Sequence, residues 1–259
     1  MIVLGFDTAS HATAVGLRLA DGSTLHARDD PAPGDHPGHA TRLLSLAREL
    51  LAEAGVGWDE LTRLAVGLGP GRFTGLRVGI ATARGLAQSL SIELVGVSSL
   101  HALALPATWE GAASSQAGES GPPPTIAVID ARRGEVFAGA YAARGDVVFA
   151  QPLRPEELLT IVEQIERLGG PVGERWRAVG DGALLHAEQL ARGGVEVPDL
   201  ASPLHLIDGR AICELGALAA PVGHGQAALA RILPDYRRAP DAALARGAQP
   251  PTAAGVSRA

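Results

Sequence analysis

Hydrophobic positions in the first hundred residues follow two different periods. Short apolar or alternating runs, typical of strands, occupy Ile2–Phe6, Thr13–Leu19, Thr24–Arg28, Arg63–Val66 and Ile92–Val97. Asp21-Gly22 lies between the second and third runs and predicts a tight hairpin turn. Two other segments, His39–Ala54 and Thr74–Ser89, repeat apolar residues at helical spacing. The pattern predicts two antiparallel strands beside a strand–helix–strand–helix–strand unit, and therefore a mixed sheet covered by helices.

The second half of the chain repeats this order in weaker form. Strands are predicted at Thr125–Asp130, Glu135–Ala142, Val147–Gln151 and Trp176–Val179, and helices at Pro155–Leu168, Ala183–Arg192 and Asp208–Ala220. Between the halves, Pro106–Pro124 is rich in Pro, Gly and Ser and is typical of a linker. We therefore predict an α/β chain with an N-terminal lobe at 1–105, a flexible linker at 106–124, a C-terminal lobe at 125–239 and a disordered tail at 240–259.

Composition narrows the classes of function. All 22 basic residues are arginine, which excludes a Schiff-base lysine, a P-loop lysine and the strand lysine of kinases. The single cysteine, Cys213, cannot form an intrachain disulfide, so we expect a cytoplasmic protein. No apolar run approaches the roughly 20 residues that a membrane span needs. The net charge of −6 provides no general attraction to nucleic acid, so any RNA contact requires a local basic patch or a partner.

The segment Gly67–Gly75 (GLGPGRFTG) is a glycine-dense turn between a predicted strand and a predicted helix. It is not a P-loop, because Leu76 and Arg77 stand where Lys and Ser/Thr are required, and its glycines do not fit G-x-G-x-x-G. Backbone N–H groups at the start of the helix remain able to hold an anion. The weak candidates for cofactor binding are Asp7, Thr8, Gly69, Gly71 and Thr74. Alternatively, Asp7 accepts hydrogen bonds from its own turn.

A stripe of small residues runs along the helix after this turn. Gly75, Gly79, Ala83 and Ala87 recur every four residues, so they share one face. Glycine inside a helix costs about 1 kcal/mol relative to alanine. Two such glycines in one helix indicate close contact with another helix.

Histidines offer little evidence of a metal site. His36 and His39 are separated by a Pro-Gly turn and can face one ion, but two ligands are too few for a site. We therefore expect solvated loop histidines and no bound metal. No G-x-S-x-G motif is present, and Cys213 lies among apolar residues of a predicted helix, as expected of a buried, unreactive thiol.

Several segments together resemble a known family. Gly67–Ala87 closely resembles the signature of the bacterial TsaB (YeaZ-type) tRNA threonylcarbamoyladenosine biosynthesis proteins. Weaker matches to that family are Ile2–Ser10, His39 with Arg42–Leu44, Gly96–Leu100, Ile129–Val136 and Pro234–Arg237. The resemblance covers residues 1–238 apart from the linker, and it implies the two-lobed actin/hexokinase-type (ribonuclease H-like) fold.

The resemblance also implies a role without catalysis. The family is related to TsaD, the metal- and nucleotide-binding subunit that transfers threonylcarbamoyl to the adenosine beside the anticodon. TsaD holds its metal partly through a His-x-x-x-His pair, and matching Gly96–Leu100 to that segment places Ser99 and Leu103 at the two positions. Because leucine cannot ligate a metal, the resemblance implies a noncatalytic paralogue that has no cofactor of its own.

Its implied partners are a TsaD-type catalytic subunit and a TsaE-type ATPase, with a homodimer when the chain is alone. We expect contact with tRNA to be at most indirect, and none with a membrane. ATP or ADP at the partner interface is compatible with this interpretation. The resemblance assigns the partner surface to the two N-lobe helices, at His39, Leu43, Ala47, Gly75, Gly79 and Ala83. Two rival interpretations are an enzyme, either an actin-fold ATP-binding kinase or a glycoprotease-like hydrolase, and a self-contained homodimeric module.

Overall fold

The first sheet has five strands in the order β3-β2-β1-β4-β5. The computed structural model describes residues 1–32, 34–109, 122–142, 147–168, 170–223 and 225–236. The strands are β1 (Val3–Asp7), β2 (Thr13–Arg18), β3 (Thr24–Asp29), β4 (Arg63–Gly67) and β5 (Glu93–Val97). β1 is antiparallel to β2 and parallel to β4, and β4 is parallel to β5. The mixed sheet predicted from the hydrophobic pattern is therefore confirmed.

Helices α1 (His39–Ala54) and α2 (Phe73–Leu90) cover one face of this sheet. The side chains of Leu4, Leu64 and their alternate neighbours point into the core beneath these helices. α1 ends where Gly55 adopts φ +67° and donates its N–H to the carbonyl oxygen of Ala52 at 3.2 Å. This left-handed C-cap agrees with the stop that the sequence predicts.

The second sheet repeats the arrangement with four strands in the order β8-β7-β6-β9. The strands are β6 (Thr125–Arg132), β7 (Glu135–Tyr141), β8 (Val147–Leu153) and β9 (Arg177–Val179). β6 is antiparallel to β7 and parallel to β9, as β1 is to β2 and β4. Its helices are α4 (Ile161–Arg167), which comes after a 3-10 segment at Pro155–Thr160, α5 (Asp181–Leu185) and α6 (Ala187–Arg192). The repeated order of strands and helices that the sequence predicts is therefore present in the structure. The single helix predicted over Ala183–Arg192 is, however, interrupted at His186.

Helices α3 (Ser99–Ala104) and α7 (Gly209–Leu218) lie between the sheets. α7 packs on β1, β2 and β4, and α3 packs on β6, β7 and α7. Contact at the start of α7 is backbone to backbone, because a Cβ added at Gly16 would lie 2.2 Å from the carbonyl oxygen of Gly209. A final short helix, α8 (Gln226–Leu229), packs on α2. Helices α7 and α8 lie within the range 125–239 that was predicted to form the C-terminal lobe, yet α7 packs on the first sheet and α8 on its helix α2.

The sequence pattern did not predict α3. Ser98 caps this helix by accepting the N–H of His101 at 3.3 Å, and six residues are too few to show a helical period. The first residues of the predicted linker also pack, since Ala107 is buried and Trp109 contacts the core. Residues 110–121 of that linker and the predicted tail at 240–259 lie outside the described residues. No helix in the described part of the chain is long and apolar enough to cross a membrane.

Candidate functional site

The glycine segment lies directly on the turn after β1. A Cβ added at Gly67 would lie 1.8 Å from Asp7 Oδ2, and one added at Gly75 would lie 1.9 Å from the carbonyl oxygen of Thr8. A Cβ at Gly71 would lie 2.4 Å from the carbonyl oxygen of Ala9. No side chain fits at these distances, so the glycines allow two segments of the same backbone to meet.

Hydrogen bonds hold this contact along its length. The Arg72 N–H donates to the carbonyl oxygen of Ala9 at 2.7 Å, and Thr8 Oγ1 donates to that of Gly75 at 2.8 Å. On the other side, Gly69 and Ser99 exchange two bonds, from Ser99 N to Gly69 O at 2.9 Å and from Gly69 N to Ser99 Oγ at 3.0 Å. Gly69 has φ +98°, which also favours glycine there.

Asp7 is fully buried at the centre of this arrangement. Its Oδ1 accepts the N–H of Ala9 at 2.7 Å, and its Oδ2 accepts the hydroxyl of Ser99 at 2.5 Å. Burial raises the pKa of the Asp7 carboxyl, and the hydrogen bonds from Ser99 and Ala9 oppose that shift. The carboxyl therefore joins the β1 turn to the start of α3, as in the alternative in which Asp7 serves its own turn.

The five weak cofactor candidates are brought to one place, but most of them contact each other. Asp7, Thr8, Gly69 and Gly71 make the internal contacts above, whereas Thr74 is exposed at the start of α2. The polar groups of Asp7 and Thr8 already have partners within the chain. Nucleotide binding at these residues stays a prediction.

The six residues assigned to the partner surface are brought together, and all six are buried: His39, Leu43, Ala47, Gly75, Gly79 and Ala83. A Cβ added at Gly79 would lie 2.3 Å from Thr8 Oγ1. The small residues thus meet a packing requirement inside the chain, where α2 rests on the β1 turn. Their side chains are not accessible from solvent, and their use as an interface stays a prediction.

His39 lies at the junction of α1, α2 and β2. Its Nδ1 is 2.9 Å from Thr13 Oγ1, and its Nε2 would lie 3.2 Å from a Cβ added at Gly75. Desolvation lowers the pKa of His39, and the nearby charges of Arg72 and His11 lower it further. His36 is exposed, as expected of a solvated loop histidine, but the same expectation is wrong for His39, which is buried at the first position of α1. Within the ranges that the structure describes, no group of three or more His, Cys, Asp or Glu residues could hold a metal ion.

The solvent-facing side of α1 and α2 carries a second set of residues, small or apolar except for one arginine, which we call the outer face: Ala40, Leu44 and Arg48 of α1, and Val78, Ala81 and Gly85 of α2. All are exposed except Val78, which is half-buried, and Leu44 exposes 44% of its surface. A Cβ added at Gly85 would meet no atom within 4 Å. Sequence reasoning missed this face, although the spacing of Val78, Ala81 and Gly85 already indicated a second stripe on α2.

Residues 234–236, part of the closing motif, pack against α2 beside the outer face. The Tyr236 ring stacks on Phe73 with centroids 5.1 Å apart. The Arg77 guanidinium lies 3.8 Å from the Phe73 centroid, and its Nε donates to the Tyr236 hydroxyl at 3.0 Å. The N–H of Asp235 donates to the carbonyl oxygen of Leu68 at 2.7 Å. The end of the described chain therefore stabilises the glycine segment and the first turn of α2.

In the second sheet, the turn between β9 and α5 occupies the equivalent position. A Cβ added at Gly180 would lie 2.2 Å from the carbonyl oxygen of Val128, so this turn also contacts the neighbouring strand closely. Asp181 Oδ1 accepts the N–H of Asp130 at 3.0 Å and of Gly182 at 2.8 Å. Unlike Asp7, the Asp181 residue is exposed, and it lines the cleft between the sheets.

Comparison with known proteins agrees with this geometry. The family model of the TsaD-type tRNA N6-adenosine threonylcarbamoyltransferase matches residues 36–178. The tRNA threonylcarbamoyladenosine biosynthesis protein TsaB of Escherichia coli (strain K12) is 33% identical over 186 residues, which are 69% of this chain and 73% of that protein. The TsaB of Haemophilus influenzae is 34% identical over 137 residues, and the match spans about half of that relative, 52% of its length.

The solved structure of YeaZ from Pseudomonas aeruginosa superimposes with a TM-score of 0.68 at 28% identity, covering 90% of this chain and 100% of that chain. The two-lobed α/β fold implied by the sequence resemblance is therefore confirmed. The sequence matches and the shared fold agree along most of the chain, and the chain belongs to the TsaB (YeaZ-type) family of tRNA threonylcarbamoyladenosine biosynthesis proteins.

Proposed function

We propose that this chain is a noncatalytic subunit that binds a TsaD-type transferase and supports the installation of threonylcarbamoyl on tRNA adenosine. Membership of the TsaB family supports the pathway. The match to the TsaD family model over residues 36–178 supports a paralogous relation to the transferase.

The side chains of Asp7, Ser99 and Leu103 make structural contacts within the chain, which supports a role without catalysis. The family resemblance places Ser99 at one of the two TsaD metal-ligand positions. The Ser99 hydroxyl donates to Asp7 and accepts the N–H of Gly69. Leu103, at the other position, is buried in the apolar cluster between the sheets. These side chains hold the fold together at the place where a catalytic paralogue would bind its metal.

The observation that carries the proposed contact is Gly85. This glycine lies in the middle of α2 on the outer face, where no atom approaches the position of its Cβ. Glycine there costs about 1 kcal/mol of helix stability relative to alanine, with no internal contact that requires it. A partner helix that approaches closely explains the glycine, because small residues allow helix axes to come near each other.

The test is co-purification of a TsaD-type transferase with the Gly85→Leu variant. The variant should fold, since the added side chain enters open space, and it should lose most of the captured transferase. Glu163→Leu, at an exposed position of α4 in the other lobe, is the matched control and should bind normally. Gly79→Leu is unsuitable because its side chain would displace Thr8. Normal capture by a folded Gly85→Leu variant would reject the outer face as the interface.

A second experiment tests the function itself. Cells depleted of their own TsaB should regain tRNA threonylcarbamoyladenosine when this chain is supplied, measured by nucleoside mass spectrometry. Gly85→Leu should fail to restore it. Unrestored modification with a folded wild-type chain, or ATP or peptide turnover by the isolated chain, would contradict the proposal and favour the kinase or hydrolase alternative. Sedimentation of the isolated chain and of its Gly85→Leu variant tests whether the outer face forms the expected homodimer. Adding a TsaE-type ATPase to the captured complex tests whether that ATPase joins it.

A further inference from the structure

The Arg77 guanidinium is exposed but held in one orientation beside the outer face. Its Cζ lies 3.8 Å from the centroid of the Phe73 ring, and its Nε donates to the Tyr236 hydroxyl at 3.0 Å. Its two terminal nitrogens, Nη1 and Nη2, make no hydrogen bond or ion pair with any residue that the structure describes. A surface arginine usually loses rotamer freedom when it binds a ligand. Arg77 has already lost part of that freedom in the free chain, so binding through its terminal nitrogens costs less.

The orientation of Arg77 depends on the last residues that the structure describes. The Tyr236 ring stacks on Phe73 with centroids 5.1 Å apart. The segment before Tyr236 is fastened to α2, because Arg84 Nη2 donates to the carbonyl oxygens of Ala230 and Ile232. Tyr236 is therefore held in place by contacts that do not involve Arg77, and it can fix the guanidinium from outside α2.

The charge at the outer face has one sign. α2 contains Arg77 and Arg84 but no Asp or Glu, and Arg48 adds an exposed cation on α1. The two glutamates of α1, Glu49 and Glu53, do not belong to the outer face. The whole chain has a net charge of −6, so the positive charge of this surface is a local feature. A partner that binds here gains from negative charge on its own surface.

The neighbours of Arg77 decide which anion it binds. A fixed guanidinium binds carboxylate or phosphate oxygens through two parallel N–H groups. The small and apolar residues of the outer face suit contact with a protein helix, whereas the net charge of −6 opposes the approach of RNA. A second copy of the chain supplies no carboxylate from the same surface, because neither the outer face nor α2 contains Asp or Glu. The observations therefore favour a carboxylate on a different protein.

We infer that Arg77 binds the side-chain carboxylate of an aspartate or glutamate on a helix of the TsaD-type transferase, at the edge of the outer face. The inference rests on the proposed function and adds the chemistry that the surface of the partner presents. Arg48 contributes positive charge, and Tyr236 is a positioning residue that acts through Arg77. Because two copies of the chain bring only arginines to this surface, a homodimer through the outer face lacks the contact and is weaker than the complex with the transferase.

The test measures the affinity of the full chain for a TsaD-type transferase by calorimetry, at low and at high NaCl concentration. Arg77→Gln should weaken binding about tenfold or more and make it less dependent on salt. Arg77→Lys keeps the charge but not the paired N–H groups, and should recover only part of the affinity. Tyr236→Phe keeps the ring stack and frees the guanidinium, and should weaken binding about threefold with an unchanged salt dependence. Arg167→Gln, at an exposed position of α4, is the matched control and should bind like wild type.

A charge exchange identifies the group on the partner. Arg77→Glu should abolish capture of the transferase, because it places like charges opposite each other. A transferase in which one surface Asp or Glu is replaced by Lys should bind the Arg77→Glu variant and lose affinity for the wild-type chain. Circular dichroism of each variant of the chain checks that it is folded.

Three results would overturn the inference. The first is full affinity in the folded Arg77→Gln variant or in Arg77→Lys, and the second is failure of every Lys-substituted transferase to bind Arg77→Glu. The third is an RNA hairpin that binds the wild-type chain and loses affinity in Arg77→Gln while the transferase does not.

The Gly85→Leu variant separates this inference from the proposed function. Loss of capture in Gly85→Leu with normal capture in Arg77→Gln would reject only the role of Arg77. Loss in Arg77→Gln alone would support the carboxylate contact and reject the centre of the outer face as the interface. Normal capture by both variants would reject both proposals.

Discussion

The turns after β4 and β9 occupy equivalent places in the two halves of the molecule, yet one is closed and the other is open. After β4, the glycine segment is pressed onto Asp7–Ala9, and Asp7 is fully buried. After β9, Gly180 is pressed onto Val128 in a similar way, but Asp181 is exposed in the cleft. The same topology therefore produces a structural junction in one half and an accessible carboxylate in the other.

The helices that cover the two turns account for this difference. In the first half, α3 places the Ser99 hydroxyl against Asp7, and the turn is covered by α2, a helix of 18 residues. In the second half, α5 has only five residues, and the hydrogen bonds that Asp181 accepts from the described residues come from the backbone N–H groups of Asp130 and Gly182. A long covering helix and a side-chain donor remove the first carboxyl from water, whereas the Asp181 residue keeps a solvent-exposed surface, although partial burial of its carboxyl still raises its pKa.

The largest effect is expected where the closed turn is tightest. Gly75→Ala places a methyl group against the carbonyl oxygen of Thr8, where a Cβ would lie at 1.9 Å, so the unfolding free energy should fall by about 3 kcal/mol or more. Gly85→Ala, in the same helix but in open space, should raise it by up to about 1 kcal/mol. Urea unfolding of the two variants measures both changes. Equal effects would show that the close contact with the β1 turn is not required.

A smaller effect should separate the two aspartates. Asp7→Ala leaves the Ala9 N–H and the Ser99 hydroxyl without their buried acceptor, which should cost about 2–3 kcal/mol. Asp181→Ala removes bonds that water can replace at an exposed site, so its loss should stay below about 1 kcal/mol. Thermal and urea unfolding of both variants provide the comparison. A larger loss for Asp181→Ala would reverse the assignment of closed and open turns.

The smallest effect concerns pH and His39. Because burial lowers its pKa, the folded chain keeps His39 neutral at pH values where the unfolded chain, with a pKa near 6.5, binds a proton. Its contribution to stability is therefore constant above about pH 6.5 and is lost as pH falls from there through the folded-state pKa, by at most about 1.4 kcal/mol per pH unit. His39→Gln should flatten this part of the urea-midpoint profile between pH 7.5 and 5. A slope identical to wild type would show that His39 is not the titrating group.

The sequence predicted most elements because their hydrophobic periods are long and regular. α1, its stop at Gly55 and the strands of both sheets are consistent with local patterns. α3 was missed because six residues show no clear period, although Ser98 was available as its cap. The stripe at Gly75 and Gly79 was interpreted as a place of close contact with another helix, whereas its close neighbour within the chain is Thr8 of the turn after β1. Periodicity identifies a face of a helix and not what that face touches.

By itself, the sequence determined the class of fold, the repeated order of strands and helices, and the family resemblance, since all three depend on residues near each other in the chain. Tertiary structure decided which faces are buried and which remain exposed. It placed Ser99 against Asp7, turned Gly79 inward and left Gly85 in open space. These outcomes depend on contacts between residues far apart in sequence, and only packing of the complete chain brings such residues within reach of each other.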